Sequence, residues 1–405
     1  MINGFTMNGV DLDTMLVPRS YFNQGTLWNW GTNYYYGLGD NTNSDRYSPV
    51  QTVAGGIGWK QAGTGKNMGA GIKTDGTLWT WGSNQTGCLG DNTVIAKSSP
   101  VQTIASGTNW RQLSIGGWFQ SGIAGQATVM ATKTDGSLWG WGRNSYGQIG
   151  DNTTTQRNSP VIVGGTAVAG SYNWSQVSTQ LSCTAAIKTD GTLWTWGRNT
   201  DGQLGNNNTS SFSSPVQTVA SGNNWRQVAA GSYTMGAVKT DGTLWMWGKN
   251  NYGQLGNNTT INRSSPIQTI ASGNNWKQVS IGGAGFPGAA GYTHVAAIKT
   301  DGTLWTWGTN NSGQLGNNTT IYYSSPIQTI SAGTNWKTVA AGYMNTLAIK
   351  TDGSLWLWGN NGAGQLGDNT ATNRSSPIQT VASGYSWSQV GSGYYQSIAI
   401  TSVYN

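Results

Sequence analysis

The sequence of 405 residues contains no glutamate, one histidine and two cysteines, and only 9% of its residues are charged. Glutamate and lysine are among the residues that favour helices most, so their scarcity argues against a mainly helical protein. Two cysteines are too few for a disulfide-stabilised scaffold, and we expect Cys88 and Cys183 to be free thiols. Disorder is also excluded, because disordered chains are poor in aromatic residues and this chain has 22 Trp and 17 Tyr.

The apolar and charged residues are spread thinly along the chain. No run of about eighteen apolar residues is present, so we expect no membrane insertion. The first twenty residues lack the basic and apolar regions of a signal peptide, which predicts no export signal. The net charge of +7 would allow an acidic partner, but no two Lys or Arg residues are adjacent. Nucleic acid is therefore not an expected partner.

Tryptophan recurs with a regular period. The string W-x-W-G occurs seven times, its starts are 51, 60, 55, 51, 60 and 51 residues apart, and one further Trp follows each copy. The W-x-W-G pairs are Trp28/Trp30, Trp79/Trp81, Trp139/Trp141, Trp194/Trp196, Trp245/Trp247, Trp305/Trp307 and Trp356/Trp358. The only tryptophan outside this pattern is Trp118. Such a period indicates one supersecondary unit in each repeat.

Each repeat predicts four short strands, (G)TLWTWG, SP(I/V)QT(I/V), W(K/R)QV and (A)AIKTDG, with turn residues between them. The T-D-G before T-L-W is a hairpin signal. Apolar residues on both sides of the W-x-W strand require a sheet that is covered on both faces, as in a propeller blade. The first repeat lacks its A-I-K-T-D-G strand, and residues 397–401 supply it at the other end of the chain. We therefore expect the two ends to pair within one blade and close the ring.

Segments such as AGYTHVAAIKTDGTLWTWGTNNSGQLGNNT, residues 290–319, resemble the repeat of the regulator of chromosome condensation family. The resemblance covers residues 23–405 and implies an all-β, seven-bladed β-propeller of four-stranded blades. It implies the fold more strongly than the function, because family members include a nucleotide exchange factor for a small nuclear GTPase and a bacterial β-lactamase inhibitor. The exchange factor's non-repetitive segments have no counterpart in this chain.

Two insertions of nine residues fall between W(K/R)QV and AIK, within 110–135 and 276–301, and we expect both to enlarge loops on one face about 150° apart. Irregular aromatic residues collect in the same class of loop. Aromatic side chains on loops that a rigid scaffold holds are typical of binding surfaces, for a protein or a sugar. The alternative is that they fill the channel or pack locally. The predicted binding residues are Trp118, Phe119, Tyr233, Phe286, Tyr292, His294, Tyr343, Met344, Tyr394 and Tyr395.

Catalysis has little support in the sequence. His294 occupies the position that resembles the family's repeated histidine, and a single such residue is more often structural than catalytic. The periodic Asp residues lie in hairpin turns, where we expect them to be ionised and solvated. Residues 40–45 resemble a calcium loop but lack its glycine and distal Glu. We expect no enzyme activity, no metal and no cofactor.

Residues 1–22 precede the first blade and form a separate predicted unit. Their N-G-V-D-L-D and V-P-R pieces resemble the N-terminal docking segments of some tailed-phage virion proteins. The resemblance implies that this arm docks on other virion proteins, whereas the alternative is an arm packed against its own propeller. The predicted docking residues are Val10, Leu12, Met15, Leu16 and Val17.

Three functions are weighed from these features. The first is a non-enzymatic structural and binding protein of a phage virion, whose arm anchors it and whose enlarged face meets a host-surface glycan or protein. The alternative is an extracellular or cytoplasmic interaction module or enzyme inhibitor, like the β-lactamase inhibitor of the same fold. A chromatin or GTPase regulator ranks last, because the basic residues are scattered.

Overall fold

The computed structural model describes residues 25–53, 56–105, 107–120, 123–164, 173–220, 222–270, 273–283, 292–330, 333–382 and 384–402. Within these residues 28 strands form seven antiparallel sheets of four strands each. Each sheet is one blade of a propeller, which confirms the predicted fold class.

Every blade runs from an inner strand at the central channel to an outer strand at the rim. The inner strands are β3 (Trp59–Thr64), β7 (Trp110–Gln120), β11 (Trp174–Gln180), β15 (Trp225–Ala230), β19 (Trp276–Ile281), β23 (Trp336–Ala341) and β27 (Trp387–Ser392). The second strands are β4 (Met68–Lys73), β8 (Ile123–Lys133), β12 (Cys183–Lys188), β16 (Thr234–Lys239), β20 (His294–Lys299), β24 (Asn345–Lys350) and β28 (Gln396–Thr401).

The third strands carry W-x-W-G and the outer strands carry the S-P-x-Q type of sequence. The third strands are β1 (Leu27–Gly31), β5 (Leu78–Gly82), β9 (Leu138–Gly142), β13 (Leu193–Gly197), β17 (Leu244–Gly248), β21 (Leu304–Gly308) and β25 (Leu355–Gly359). The outer strands are β2 (Arg46–Gln51), β6 (Lys97–Gln102), β10 (Arg157–Ile162), β14 (Phe212–Gln217), β18 (Arg263–Gln268), β22 (Tyr323–Gln328) and β26 (Arg374–Gln379). Blade 1 is β3–β6, blades 2 to 6 follow in chain order, and blade 7 is β27, β28, β1 and β2. A short 3₁₀ helix spans Tyr34–Tyr36.

The two ends of the chain share blade 7. Strand β1 pairs antiparallel with β28, so that Leu27 lies opposite Ile400 and Trp28 lies opposite Ala399. The Thr26 hydroxyl also lies 2.8 Å from the Thr401 hydroxyl. These contacts confirm that the first and last strands close the ring, which leaves no sheet edge exposed at a seam.

The second Trp of each W-x-W-G joins neighbouring blades. It is fully buried, and its indole N–H donates to a backbone carbonyl in the loop that follows the third strand of the preceding blade. A buried N–H needs such an acceptor, so each Trp fixes its blade against the one before it. The seven donor and acceptor pairs are Trp81 to Gly37, Trp141 to Cys88, Trp196 to Gln148, Trp247 to Gln203, Trp307 to Gln254, Trp358 to Gln314 and Trp30 to Gln365.

In six blades, the glutamine two positions after the Trp of the inner strand joins the inner strands around the channel. Its amide donates to a backbone carbonyl of the next inner strand and accepts from the backbone N–H of the same residue. The pairs are Gln61 with Leu113, Gln112 with Val177, Gln176 with Val228, Gln227 with Val279, Gln278 with Val339 and Gln389 with Ala62. Blade 6 has Thr338 at this position.

A lysine lies over two tryptophans in six of the blades. In blade 5 the Lys299 ammonium lies 4.9 Å from the Trp276 ring centroid and 4.6 Å from that of Trp305. Lys73, Lys133, Lys188, Lys239 and Lys350 occupy the same place in their own blades. Cation–π attraction therefore explains why a charged residue recurs beside the core.

The connections alternate between two faces of the ring. On one, the hairpin face, the T-D-G turns meet the turns that precede the inner strands, as where Trp110 N donates to Gly76 O at 3.0 Å. The loop face carries the connections after the inner and third strands, as where Thr32 N donates to Tyr395 O at 3.0 Å. This arrangement is the predicted one.

The insertion in blade 2 differs from its expected form. The sequence predicts an enlarged loop, whereas β7 and β8 are each 11 residues long and pair as far as Gln120 and Ile123. The inserted residues therefore lengthen a hairpin, because both added segments have enough strand-forming residues to continue the ladder. The insertion in blade 5 includes residues 284–291, which lie outside the described part of the chain.

Candidate functional site

The described residues that line the main cavity of the central channel are uncharged. This cavity has a volume of about 280 Å³, and the glutamines of the inner strands line it together with serine and small apolar residues, among them Ser114, Ser178 and Ser280. At the loop face a much smaller cavity of about 20 Å³ lies among residues of six blades, including Lys66, Gln180, Tyr343 and Tyr394. Among the described residues, the cavity at the loop face is therefore much smaller than the main cavity of the channel.

Four of the predicted binding residues form one cluster at this narrow end. The rings of Tyr343 and Tyr394 stack 4.1 Å apart at an angle of 13°, and Tyr395 stands edge-on to Tyr394 at 4.3 Å. Met344 packs against the same group. Burial raises the pKa of the Tyr343 and Tyr394 hydroxyls above the usual value for tyrosine. Tyr395 and Met344 remain partly exposed, whereas Tyr343 and Tyr394 are buried.

Tyr233 lies elsewhere on the loop face, among cations. It is buried against Leu181 and Tyr146, and the Arg198 guanidinium and the Lys249 ammonium lie 5.1 and 5.0 Å from its ring centroid. Burial raises its pKa, and the positive charge of Arg198 opposes that shift. Tyr233 thus supports two basic side chains.

Tyr292 belongs to a row of three tyrosines between blades 4 and 5. Its ring lies 5.7 Å from that of Tyr252 at an angle of 20°, and Tyr252 meets Tyr322 edge-on at 5.5 Å. The Tyr322 hydroxyl donates to the Asn311 side-chain oxygen. All three rings are partly exposed, which makes this row a second aromatic surface.

His294 lies inside the ring, with no exposed surface. Its Nε2 is 2.9 Å from the Thr346 hydroxyl of the next blade. Burial lowers the pKa of His294 to about 3, so the imidazole is neutral at physiological pH. His294 therefore links blades 5 and 6, and its side chain is not accessible to a binding partner.

The remaining predicted residues fall outside what the structure describes. This holds for the side chains of Trp118 and Phe119, although their backbone belongs to β7, and for Phe286. The docking arm also lies outside the described residues, with Val10, Leu12, Met15, Leu16 and Val17.

The periodic Asp carboxylates accept hydrogen bonds within the T-D-G hairpin turns. In the hairpin of blade 4, the backbone N–H and hydroxyl of Thr243 donate to Asp241 at 2.9 and 2.7 Å, which lowers the pKa of that carboxyl. Asp40, in the segment that resembles a calcium loop, meets the Arg46 guanidinium at 2.8 Å. Among the described residues, no three His, Cys, Asp or Glu side chains are placed to hold a metal ion together. Cys88 and Cys183 are not joined in a disulfide, as predicted. Both are buried, and burial raises the pKa of both thiols to about 12.

Sequence reasoning missed the basic residues that accompany these aromatic rings. The residue after W-x-W-G is Arg143, Arg198 and Lys249 in blades 2, 3 and 4, whereas the other repeats have Thr32, Ser83, Thr309 and Asn360 there. They do not form a run of adjacent basic residues, because they lie 55 and 51 residues apart. An alignment of the repeats by position, not by proximity along the chain, would have found them.

The model of the regulator of chromosome condensation (RCC1) repeat matches residues 75–120, 135–187, 190–238, 241–285, 301–349 and 352–400. This is well over half of the chain. The chain belongs to the RCC1 repeat family. A second RCC1 repeat model matches residues 174–203, 225–254 and 336–365.

Several curated proteins are similar in sequence to this RCC1-repeat chain. The ultraviolet-B receptor UVR8 of Arabidopsis thaliana is 26% identical over 80% of this chain and 70% of the receptor. The mitochondrial RCC1 domain-containing protein RUG3 of the same plant is 28% identical over 74% of this chain and 64% of RUG3. The human E3 ubiquitin-protein ligase HERC2 is 25% identical over 72% of this chain, which spans only 6% of HERC2.

Two solved structures share the RCC1-type propeller. Human WBSCR16 superposes with a TM-score of 0.77 at 18% identity, covering 94% of this chain and 100% of its own. Prp20p of Saccharomyces cerevisiae, reported with its binding properties to Gsp1p and histones, superposes with a TM-score of 0.79 at 17% identity, covering 95% and 92%. At these identities the likeness shows the fold. No helix in the described residues is long and apolar enough to span a membrane.

Proposed function

We propose that this chain is a non-catalytic module that binds a protein partner through its loop face. One observation carries the proposal: departures from the repeat that expose aromatic or apolar side chains gather at this face. Tyr395 and Met344 stand partly exposed over a buried tyrosine stack, and the β7–β8 hairpin of blade 2 is extended at the same face. A rigid scaffold with irregular loops is the usual basis of protein recognition.

The relatives support a protein as the partner class. Prp20p is reported to bind Gsp1p and histones, and it shares the propeller but little of the sequence. The UVR8 receptor and the HERC2 ligase are similar to this chain in sequence, and their names indicate unlike functions. Because one fold serves such different proteins, the identity of this chain's partner depends on its own loops.

The side-chain chemistry supports a binding role over a catalytic one. His294 is buried, and the turn carboxylates accept hydrogen bonds from their own Thr or Ser neighbours, as Asp301 does from Thr303 at 2.7 Å. A general acid or base needs access to the substrate and a matched pKa. These groups are better suited to holding the blades.

The virion role predicted from the sequence is not our leading proposal. It depends on the arm at residues 1–22, which the structure does not describe, and none of UVR8, RUG3 and HERC2 is named as a phage protein. The arm remains a predicted docking segment, and a virion location remains a prediction that rests on that resemblance.

The experiment uses the full chain as bait, followed by reconstitution of the complex from purified bait and purified candidate partner. We expect a one-to-one complex that the Tyr395→Ala exchange weakens at least tenfold, since exposed tyrosines are frequent binding hot spots. The matched control is Tyr385→Ala, which removes an exposed tyrosine from the hairpin face. Equal binding by the wild type and the Tyr395→Ala variant, or loss only with Tyr385→Ala, would contradict the proposal.

A further inference from the structure

Three neighbouring blades place a basic residue at the same point of the loop face. Arg143, Arg198 and Lys249 each follow W-x-W-G directly, at the end of β9, β13 and β17. Because blades 2, 3 and 4 are consecutive in the ring, these three cations stand side by side. We call them the basic row.

Tyrosine rings connect the members of the basic row. The guanidinium carbons of Arg143 and Arg198 lie 5.8 and 5.2 Å from the ring centroid of Tyr146. Arg198 and Lys249 share the ring of Tyr233 in the same way, at 5.1 and 5.0 Å. The row is therefore a continuous strip of cation, aromatic ring, cation, aromatic ring and cation.

In the part of the chain that the structure describes, the positive charges of this strip outnumber the carboxylates paired with it. The Asp201 carboxylate lies 3.9 Å from the Lys249 ammonium and thus offsets one of three cations. Burial of Arg143 lowers its pKa, and the like charge of Arg198 adds to the shift. When two arginines are held close together and are partly buried, a bound anion stabilises their charged forms.

Buried amides add donors at the same place. Gln148, Gln203 and Gln254 are fully buried, and their side-chain N–H groups have no acceptor in the described structure, although their oxygens accept backbone N–H bonds. In blade 5 the equivalent Gln314 donates to the Thr309 hydroxyl at 3.4 Å. In blade 6 Gln365 donates to the Asn360 oxygen at 2.5 Å.

The difference follows from the residue five positions earlier. Thr309 and Asn360 offer an acceptor oxygen, whereas Arg143, Arg198 and Lys249 have donors only. Blades 2, 3 and 4 therefore lack this side-chain hydrogen bond and carry a positive charge at the same position. The unpaired N–H dipoles add to the positive potential beneath the row, and burying a donor without an acceptor is unfavourable.

We propose that the basic row binds an extended acidic segment of a protein partner. This inference rests on the proposed function of the loop face as a protein-binding surface, and it gives the chemistry of the partner. The cations are spread over three blades along tyrosine rings, which fits a stretched chain with several Asp or Glu side chains better than one compact anion. Carboxylates would pair with the cations, and the apolar stems of the segment would lie on the rings.

The test is fluorescence anisotropy of the full chain with a labelled peptide of about twelve residues in which Asp and Gly alternate. We expect binding at about 20 mM salt that weakens as salt rises, and no binding of a matched Asn and Gly peptide. The Arg198→Gln exchange should weaken binding about tenfold. Thr309→Arg, which extends the row to blade 5, should tighten it.

The control is Lys277→Gln, which removes one positive charge from an exposed site on an inner strand near the hairpin face. Equal losses for Arg198→Gln and Lys277→Gln would mean unspecific attraction and would overturn the proposal, as would equal binding of the Asn and Gly peptide. Tighter, Arg198-dependent binding of a single-stranded DNA of similar length would assign the row to nucleic acid instead, and would also overturn it.

The two proposals fail in distinguishable ways. Suppose that Tyr395→Ala weakens the partner complex, that Arg198→Gln does not, and that the chain does not bind the acidic peptide. These results together would contradict only the proposal for the basic row. An Arg198-dependent peptide interaction in a chain whose partner complex ignores Tyr395 supports the row and contradicts the role of the aromatic cluster.

Discussion

Gln389 and Ala62 lie 327 residues apart in the chain and share two hydrogen bonds across the channel wall. The Gln389 amide N–H donates to Ala62 O at 3.0 Å, and Ala62 N–H donates to Gln389 Oε1 at 2.8 Å. The pair links the inner strands of blades 7 and 1. It therefore ties the C-terminal blade to the first complete blade, in addition to the pairing of β1 with β28.

We expect the Gln389→Leu exchange to lower the free energy of unfolding by about 1–2 kcal/mol, because it leaves the two Ala62 backbone groups without these partners. Urea unfolding followed by tryptophan fluorescence measures the change. The control is Thr338→Val in blade 6, whose hydroxyl makes no hydrogen bond among the described residues. A loss at Thr338 as large as that at Gln389 would contradict the role given to the amide.

Blade 6 offers the reciprocal experiment, because Thr338 occupies the position of the bridging glutamine. We expect Thr338→Gln to bond the backbone of Val390 in blade 7 and to raise the free energy of unfolding by about 1 kcal/mol. A higher midpoint in thermal or urea unfolding measures it. An unchanged or lower midpoint would show that the gap between these blades does not accept the amide.

Stability should fall in mild acid because of His294. The pKa of His294 is about 3 in the folded protein, below the ordinary value of 6.5. As the pH falls, the unfolded chain therefore takes up a proton at a higher pH than the folded chain does, which favours unfolding. The stabilising effect of the neutral imidazole is fully present above pH 6.5 and is lost progressively as the pH falls from there towards 3. From pH 6 to pH 4 we expect a loss of about 2–3 kcal/mol.

The variant His294→Gln isolates this effect, since Gln396 fills the equivalent position in blade 7. Its unfolding free energy should change much less between pH 6 and pH 4, while the hairpin carboxylates, with pKa values below 3.8, titrate at lower pH in both proteins. Parallel curves for the two proteins across this range would refute the assignment to His294.

Tyr36 adopts a backbone conformation that the other repeats assign to glycine. Its φ is 64°, and Gly87, at the same position of the next repeat, has the same φ of 64°. We expect Tyr36→Gly to raise the free energy of unfolding by about 1 kcal/mol, because left-handed backbone is unfavourable for a residue with a Cβ. Tyr34→Gly in the same turn, where φ is not positive, should give no gain. Thermal unfolding of the two variants decides between these outcomes.

The sequence was sufficient to predict the ring, because its core residues are also its most regular ones. Trp81 and its six equivalents are buried between blades, so any change of blade count or register would misplace an indole that needs its acceptor. The pairing of the two ends followed from the strand that the first repeat lacks. Because each blade packs in the same way, equivalent positions need the same residue types, and the sequence therefore repeats with a regular period.

The candidate surface was only partly predictable, since it depends on residues that the period does not fix. Tyr343 and Tyr394 were selected as loop aromatics, but their stacking needs two blades to meet at the channel. The basic row was not found at all, because Arg143, Arg198 and Lys249 become neighbours only through the ring. The extended β7–β8 hairpin was expected as a loop, since its nine inserted residues fall between two predicted strands and have no counterpart in most other repeats.

Hydrogen–deuterium exchange of the reconstituted complex tests the central claim most directly. The account predicts that the partner protects the connections of the loop face, around residues 143–148, 198–203 and 342–345, and leaves the T-D-G turns unchanged. Protection confined to those turns, around residues 240–243 and 300–303, would contradict the claim that the loop face binds the partner.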